Sequence, residues 1–365
     1  MTLTTSAALS VNSMPKPDQP REHRHTLGLL ADPDALHDPL DIRGSDPLWL
    51  STALRGMWLI RRVEESIADM VAAKQVQCPC HLAIGQEAVA VGVARSVEPG
   101  DRIFGAHRSH AHFLSLGGNP FELFAEVLGR EQGCSRGMGG SMHLTDPYHG
   151  LLGTVPLVAA TIPIAVGAGL AAQMDGNSRV AVSFFGDGAA EEGVFHESMN
   201  FAASMRLPVV FVCENNLFSS HLHISLRQPS DCIARYALAH GMPGSTVDGN
   251  DVWAVAQAAS QAFMRARRGD GPSLLEAVTY RWRGHVGHRE DIDVGVQRKG
   301  DLARWKKRDP IDRLACAMVQ QGWLDAEQLN QVNREVDAEV NDARLRATQA
   351  AFPPASSLLG LVYSS

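Results

Sequence analysis

The strongest chemical signal in the chain is Gly186-Asp187-Gly188, followed further on by Asn215-Asn216. Each stands at the end of an apolar run that reads as a buried strand, Val180–Phe185 before the first and Pro208–Cys213 before the second. Between them, Ala189–Met205 reads as a helix with Glu191 and Glu192 in its first turn. A right-handed strand–helix–strand unit sets two strand tips side by side at the carboxyl edge of a sheet, where open α/β folds bind ligands. There Asp187 would offer a carboxylate and Asn216 an amide oxygen to one point. Both are hard oxygen ligands suited to Mg2+, whose octahedron is usually completed by phosphate oxygens and water. The glycines let backbone N–H groups approach a diphosphate, and a following helix N-terminus favours its charge. By itself Gly-Asp-Gly reads as a strand-ending turn. The surrounding frame and the asparagine pair shift the reading to a metal–diphosphate site.

The elements that must hold this site follow from periodicity. Residues 1–46 are rich in Pro, His, Asp and Arg without an apolar period, and read as a mobile N-terminal extension. From Trp49, apolar residues recur at helical steps through Leu54, Trp58, Val63, Ile67 and Met70. A short helix is expected around Phe121–Leu128, a further helix near Val252–Arg267 and a strand near Ser273–Tyr280. Near the C-terminus, Leu329, Val332, Val336 and Val340 form one helical stripe, with Asp325 and Gln328 placed as a cap. The alternation predicts an α/β fold with a largely parallel sheet covered by helices on both faces, spanning residues 47–350, and a tail at 351–365.

Composition narrows the class. With 33 basic and 40 acidic residues the net charge is −7, so no bulk basic field points to nucleic acid. The 45% hydrophobic and 20% charged content across 365 residues is ordinary for a globular protein. Six cysteines without paired spacing read as reduced thiols in a cytoplasmic protein, and the N-terminus shows no secretory pattern. The stretch from Gly150 to Met174 lacks charge, but Pro156, Pro163 and many small residues favour a loop feeding a buried helix over a membrane span.

The motif and its surroundings resemble the α subunits of thiamine-diphosphate-dependent 2-oxo acid dehydrogenases of the pyruvate, branched-chain and acetoin types. Segments HLAIGQEA (81–88), HRSH (107–110), GCSRGMGGSMHL (133–144), IPIAVGAGLA (162–171), GDGAAEEG (186–193), CENN (213–216), TYRWRGH (279–285) and WKKRDPI (305–311) carry the resemblance in family order. It implies a thiamine-diphosphate-binding fold, with thiamine diphosphate and Mg2+ as cofactors. Asp187, Asn216 and the carbonyl of Phe218 would ligate the metal. His107, Arg108, Arg281 and His285 would face the diphosphate, with Gly188 and Ala189 offering backbone N–H groups. Pro156 and Val158 would align with the main chain that holds the aminopyrimidine. His285 and His81 are the candidates for proton handling or for orienting the substrate carboxylate.

The resemblance further implies a heterotetramer of two α and two β subunits, with the β chain supplying the acid that activates the pyrimidine. A lipoyl acyltransferase would take the acyl group, and a small 2-oxo acid or acetoin would be the substrate. A non-oxidative acyl or ketol transferase (carboligase) subunit is the alternative within the cofactor class. A phosphate-binding regulatory subunit is the alternative outside it. Three departures from the family stand out: His107 replaces a common Tyr, Thr161 a common Gln, and Val286 a phosphorylatable Ser. His110, His143, His196 and His288 show no metal-ligand spacing and read as packing or surface residues. Gly167-Ala-Gly169 reads as close helix packing, and Lys306-Lys307-Arg308 as a solvated charged patch.

Overall fold

The computed structural model describes residues 24–292 and 298–360. Among these the strands are β1 (Arg102–Gly105), β2 (Leu151–Thr154), β3 (Ala181–Gly186), β4 (Val209–Asn215), β5 (Phe218–Ser219), β6 (Leu222–His223), β7 (Gly244–Asp248) and β8 (Ser273–Val278). The α-helices are α1 (Pro47–Ala72), α2 (Glu87–Ala94), α3 (His110–Ser115), α4 (Pro120–Val127), α5 (Thr161–Met174), α6 (Gly193–Ser204), α7 (Arg235–Ala239), α8 (Val252–Arg267), α9 (Lys299–Trp305), α10 (Pro310–Gln320), α11 (Ala326–Gln349) and α12 (Ser357–Gly360).

Six strands pair in the order β2-β1-β3-β4-β8-β7, every neighbour parallel, while β5 and β6 form a small antiparallel ribbon. Central strands are apolar on both sides because both faces are covered. On β4, Val210 and Val212 enter a core shared with α1, α2, α8 and α11. Alternate residues Val209, Phe211 and Cys213 enter a second core, with Ile162 and Val166 of α5 and Phe195 and Met199 of α6.

Local chemistry sets several helix starts. Asp46 accepts from Leu48 N with Pro47 in the first helical position of α1, and Asp251 accepts from Trp253 N and Ala254 N at α8. Asp325 and Gln328 form a reciprocal capping box on α11, which buries Val336, Val340, Ala343 and Ala347. Gly169 lies where α5 crosses β4: a Cβ there would meet Val209 Cγ2 at 2.6 Å, so the helix can approach only without one. All six cysteines are free, and among the described residues no helix is long and apolar enough to cross a membrane.

The structure differs from the sequence reading in three places. Residues 24–46, expected to be mobile, lie against the domain with Leu27, Leu40 and Ile42 buried. These apolar side chains are too widely spaced to show a period, yet each meets a core residue. Residues 1–23 and 361–365 lie outside the described residues. Gly188–Glu191 form part of a 3-10 turn (Asp187–Glu191), so α6 starts only at Gly193 and both Glu191 and Glu192 precede it. Arg308 is fully buried rather than solvated, donating to Asp248 Oδ1 at 2.9 Å and to the carbonyls of Leu30 and Asp32.

Candidate active site

The chain runs from β1 to the edge strand β2 and then back across β1 to β3, so the strand order switches direction at β1/β3. Parallel sheets open a crevice at such a point, beyond the carboxyl ends of the strands. The cleft found there is lined from five strand ends: Ala106, His107 and Arg108 after β1, Val158 and Thr161 after β2, Phe185–Ala189 at β3, Glu214, Asn216 and Phe218–Ser220 at β4, and His285 after β8.

Register places the two ligand candidates together. Gly186 pairs with Glu214 across β3 and β4, so Asp187 and Asn216 leave adjacent strands at the same level. Asp187 is almost wholly buried, and burial raises its carboxyl above the usual range while the Arg227 guanidinium holds it down. Asn216 Nδ2 donates to Gln86 Oε1 at 3.1 Å, which fixes the amide so that its oxygen accepts from Phe218 N at 3.3 Å. Gly188 passes so close to β5 that a Cβ would meet Ser219 Oγ at 2.6 Å.

Two buried cations adjoin the cleft, Arg108 in its lining and Arg281 bonded to the Ser220 carbonyl. Arg108 donates to the carbonyls of Leu82 and His285, and Arg281 to those of Ser220 and Arg283. Among the described residues Arg108 forms no ion pair, and the carboxylate of Asp291 stands 3.7 Å from Arg281. Burial, opposed only in part by Glu64 and Glu214, pushes Arg108 down to about 10, and burial together with the Arg108 and Arg298 charges pushes Arg281 down to about 9. A guanidinium whose charge is destabilised in this way gains stability from a nearby anion.

Three imidazoles close the cleft. Ring centroids of His81 and His107 lie 4.5 Å apart, of His81 and His285 4.9 Å, and of His107 and His285 5.4 Å. Burial first, then the Arg108 charge, lowers His81 to about 3, His107 to about 2 and His285 to about 4. All three are therefore neutral near pH 7 and can donate or accept. His81 Nδ1 and Gln86 Nε2 are buried without a hydrogen-bond partner, the condition of groups awaiting a ligand.

Of the residues singled out from sequence, His107, Arg108, Val158, Asp187, Gly188, Ala189, Asn216, Phe218 and His285 share this cleft. His81 joins it through its ring contacts, and Arg281 through the carbonyl of Ser220. Pro156 does not line it, and Val158 is exposed at its mouth. Sequence reading missed Gln86, Glu214, Arg227 and Asp291. Asp291 Oδ2 accepts from His285 N at 2.7 Å and lies 3.1 Å from His221 Nε2, so it holds the His285 turn in place. No spacing rule reaches Asp291 or Arg227. Gln86 and Glu214 sit inside segments already quoted and were readable as polar residues in otherwise apolar runs.

A parallel sheet that gathers two buried arginines, three neutral imidazoles, an acid and a carboxamide at its switch point has the layout of an α/β enzyme with its cleft at the strand ends. Residues 55–356 match the family described as Dehydrogenase E1 component, and the chain belongs to that family. It is 36% identical over 326 residues to the α subunit of acetoin:2,6-dichlorophenolindophenol oxidoreductase of Bacillus subtilis, covering 89% of this chain and 96% of that protein. It is 35% identical over 311 residues to the pyruvate dehydrogenase E1 component subunit alpha of Rhizobium meliloti, covering 84% and 87%. The human mitochondrial somatic-form counterpart is 34% identical over 313 residues, covering 85% and 78%. The chain is thus an α subunit of the thiamine-diphosphate-dependent 2-oxo acid dehydrogenase family, whose E1 component carries out the decarboxylation.

Proposed function

We propose that this chain, paired with a β subunit in a heterotetramer of two α and two β subunits, decarboxylates a small 2-oxo acid or cleaves acetoin. The acyl group would pass to the lipoyl arm of an acyltransferase. The observation that carries the reading is the pairing of Asp187 and Asn216 on adjacent strand tips with Arg108 and Arg281, two buried cations held mainly by carbonyls. A magnesium diphosphate matches that set: oxygen ligands for the metal, guanidinium donors for the phosphates. The unpartnered His81 Nδ1 and Gln86 Nε2 and the close pass at Gly188 are consistent with it.

When bound, thiamine diphosphate supplies a nucleophilic carbon that adds to the 2-oxo carbon and retains the electron pair released with CO2. The residues of this chain do the rest. Asp187, Asn216 and the carbonyl of Phe218 would hold Mg2+. Arg108, Arg281 and His107, with the N–H groups of Gly188 and Ala189, would hold the phosphates. His81 and His285, neutral at working pH, would orient the substrate carboxylate or move a proton at an imidazole nitrogen. Asp291 keeps the His285 backbone in place, and the apolar cleft wall of Phe185 and Phe218 limits water. Val158, with neighbouring Leu157, Leu152 and Ile164, is exposed and apolar, and suits contact with a partner chain.

The test uses the chain co-purified with its β subunit. Asp187→Ala is expected to abolish Mg2+-dependent thiamine diphosphate binding measured by calorimetry; retained binding would overturn the coenzyme site. Supplying lipoyl acyltransferase and dihydrolipoyl dehydrogenase should yield 2-oxo-acid-dependent NADH. Carboligation products without NADH would favour the transferase reading.

A further inference from the structure

The chain beyond Asn216 leaves the site through the β5–β6 ribbon, turns through a 3-10 segment at Ile224–Leu226, and comes back. Ile224 is buried and anchors this return. It delivers Arg227, whose side chain is 5% exposed, onto the β3 tip. There the guanidinium forms ion pairs with both Asp187 and Glu191, and Arg227 Nε donates to the Leu222 carbonyl at 3.0 Å. The next residue, Gln228, donates to Glu191 Oε1 at 2.9 Å.

A cation of this chain therefore occupies one oxygen of the carboxylate assigned above to a divalent metal. Two cations cannot share that oxygen without strong mutual repulsion at contact distance. Glu191 is a third exposed, while Asp187 is wholly buried, so the two halves of the pairing differ in cost. Rotating the guanidinium off Asp187 while keeping Glu191 gives up one ion pair rather than two, and leaves it at the solvent edge.

We infer that Arg227 is the resident counter-ion of Asp187, displaced toward Glu191 when a divalent cation arrives, and that it sets the metal affinity of the site. This rests on the reading of Asp187 as a metal ligand. The ion pair with Arg227 spares Asp187 an uncompensated buried charge. On loading it competes with the metal and raises the metal concentration that half-saturates the site.

The experiment is a Mg2+ titration of the chain with its β subunit at saturating thiamine diphosphate, read by protein fluorescence and calorimetry. Arg227→Gln keeps a polar side chain but removes the competing charge. The half-saturating Mg2+ concentration is expected to fall about tenfold. Arg227→Lys keeps the charge but loses the forked geometry, and is expected to lower it about threefold, which decides the matter if the glutamine variant fails to assemble. An unchanged or raised half-saturating concentration overturns the inference. Asp187→Asn separates the two ideas. If it titrates like the wild type, the metal assignment itself is wrong; if it loses Mg2+ dependence while Arg227→Gln is unchanged, only the role of Arg227 falls.

Discussion

Two groups of buried arginines in this chain are treated in opposite ways. Arg61 donates to both carboxylate oxygens of Glu87 and to both of Asp309, and Arg308 and Arg313 share the carboxylate of Asp248 at 2.9 and 2.7 Å. Arg108 and Arg281 rest mainly on carbonyl oxygens. Burial works against the charged form in both groups. For Arg61 the carboxylates outweigh it and the net direction is up; for Arg108 and Arg281, and for Arg308 despite its Asp248 partner, burial prevails and the direction is down. Charge closed within the chain ties elements together: Arg61 joins α1 to the starts of α2 and α10. Charge left open is available to a ligand, the role proposed above for Arg108 and Arg281.

The largest effect should come from opening the closed group. Arg61→Ala leaves Glu87 and Asp309 as uncompensated buried acids, and is expected to destabilise the chain by about 3–5 kcal/mol in denaturant unfolding. A loss near zero would break the distinction. The same operation on the open group should act on binding instead. Arg108→Met is expected to cost the coenzyme-free chain far less stability than Arg61→Ala, while weakening thiamine diphosphate binding by about 1.5–3 kcal/mol, roughly 10–150-fold. Equal loss of stability in the two variants would show that Arg108 is scaffold.

The imidazoles sharpen the contrast through pH. The unfolded chain takes up protons on His81, His107 and His285 below about 6.5, whereas the folded site resists them down to about 4, 3 and 2 for His285, His81 and His107. The unfolded state then binds more protons, so stability falls as pH drops through the window between 6.5 and 4. Thermal unfolding across that range checks it. Arg108→Met should make the fall shallower, because it removes the largest charge acting on all three rings. The smallest effect belongs to a surface feature tied to neither group: Asp325→Ala removes the α11 cap and is expected to cost about 1 kcal/mol in the same unfolding assay.

Much of the fold was legible because its signals are local. The apolar runs ending at Phe185 and Cys213, the helix over Val252–Arg267 and the Asp325–Gln328 cap each depend on residues a few positions apart. The Asp187–Asn216 pairing was legible as well, because a parallel strand–helix–strand unit has one favoured hand and brings its strand tips together. Other features were not. Asp291 under His285, Arg227 on Asp187 and Arg308 on Asp248 join residues separated by the rest of a loop or by much of the chain.

By itself, then, the sequence determined the order of strands and helices, which strand ends carry the acid and the carboxamide, and that cations and imidazoles were available to meet them. Only the tertiary structure decided which arginines close on carboxylates and which stay open, and that Lys306-Lys307-Arg308 turns its last side chain inward. The physical reason is that a charged side chain is written identically whether it ends in water, on a carboxylate or on a carbonyl. Its role is set by the burial and the partners that folding assigns, and those come from distant parts of the chain.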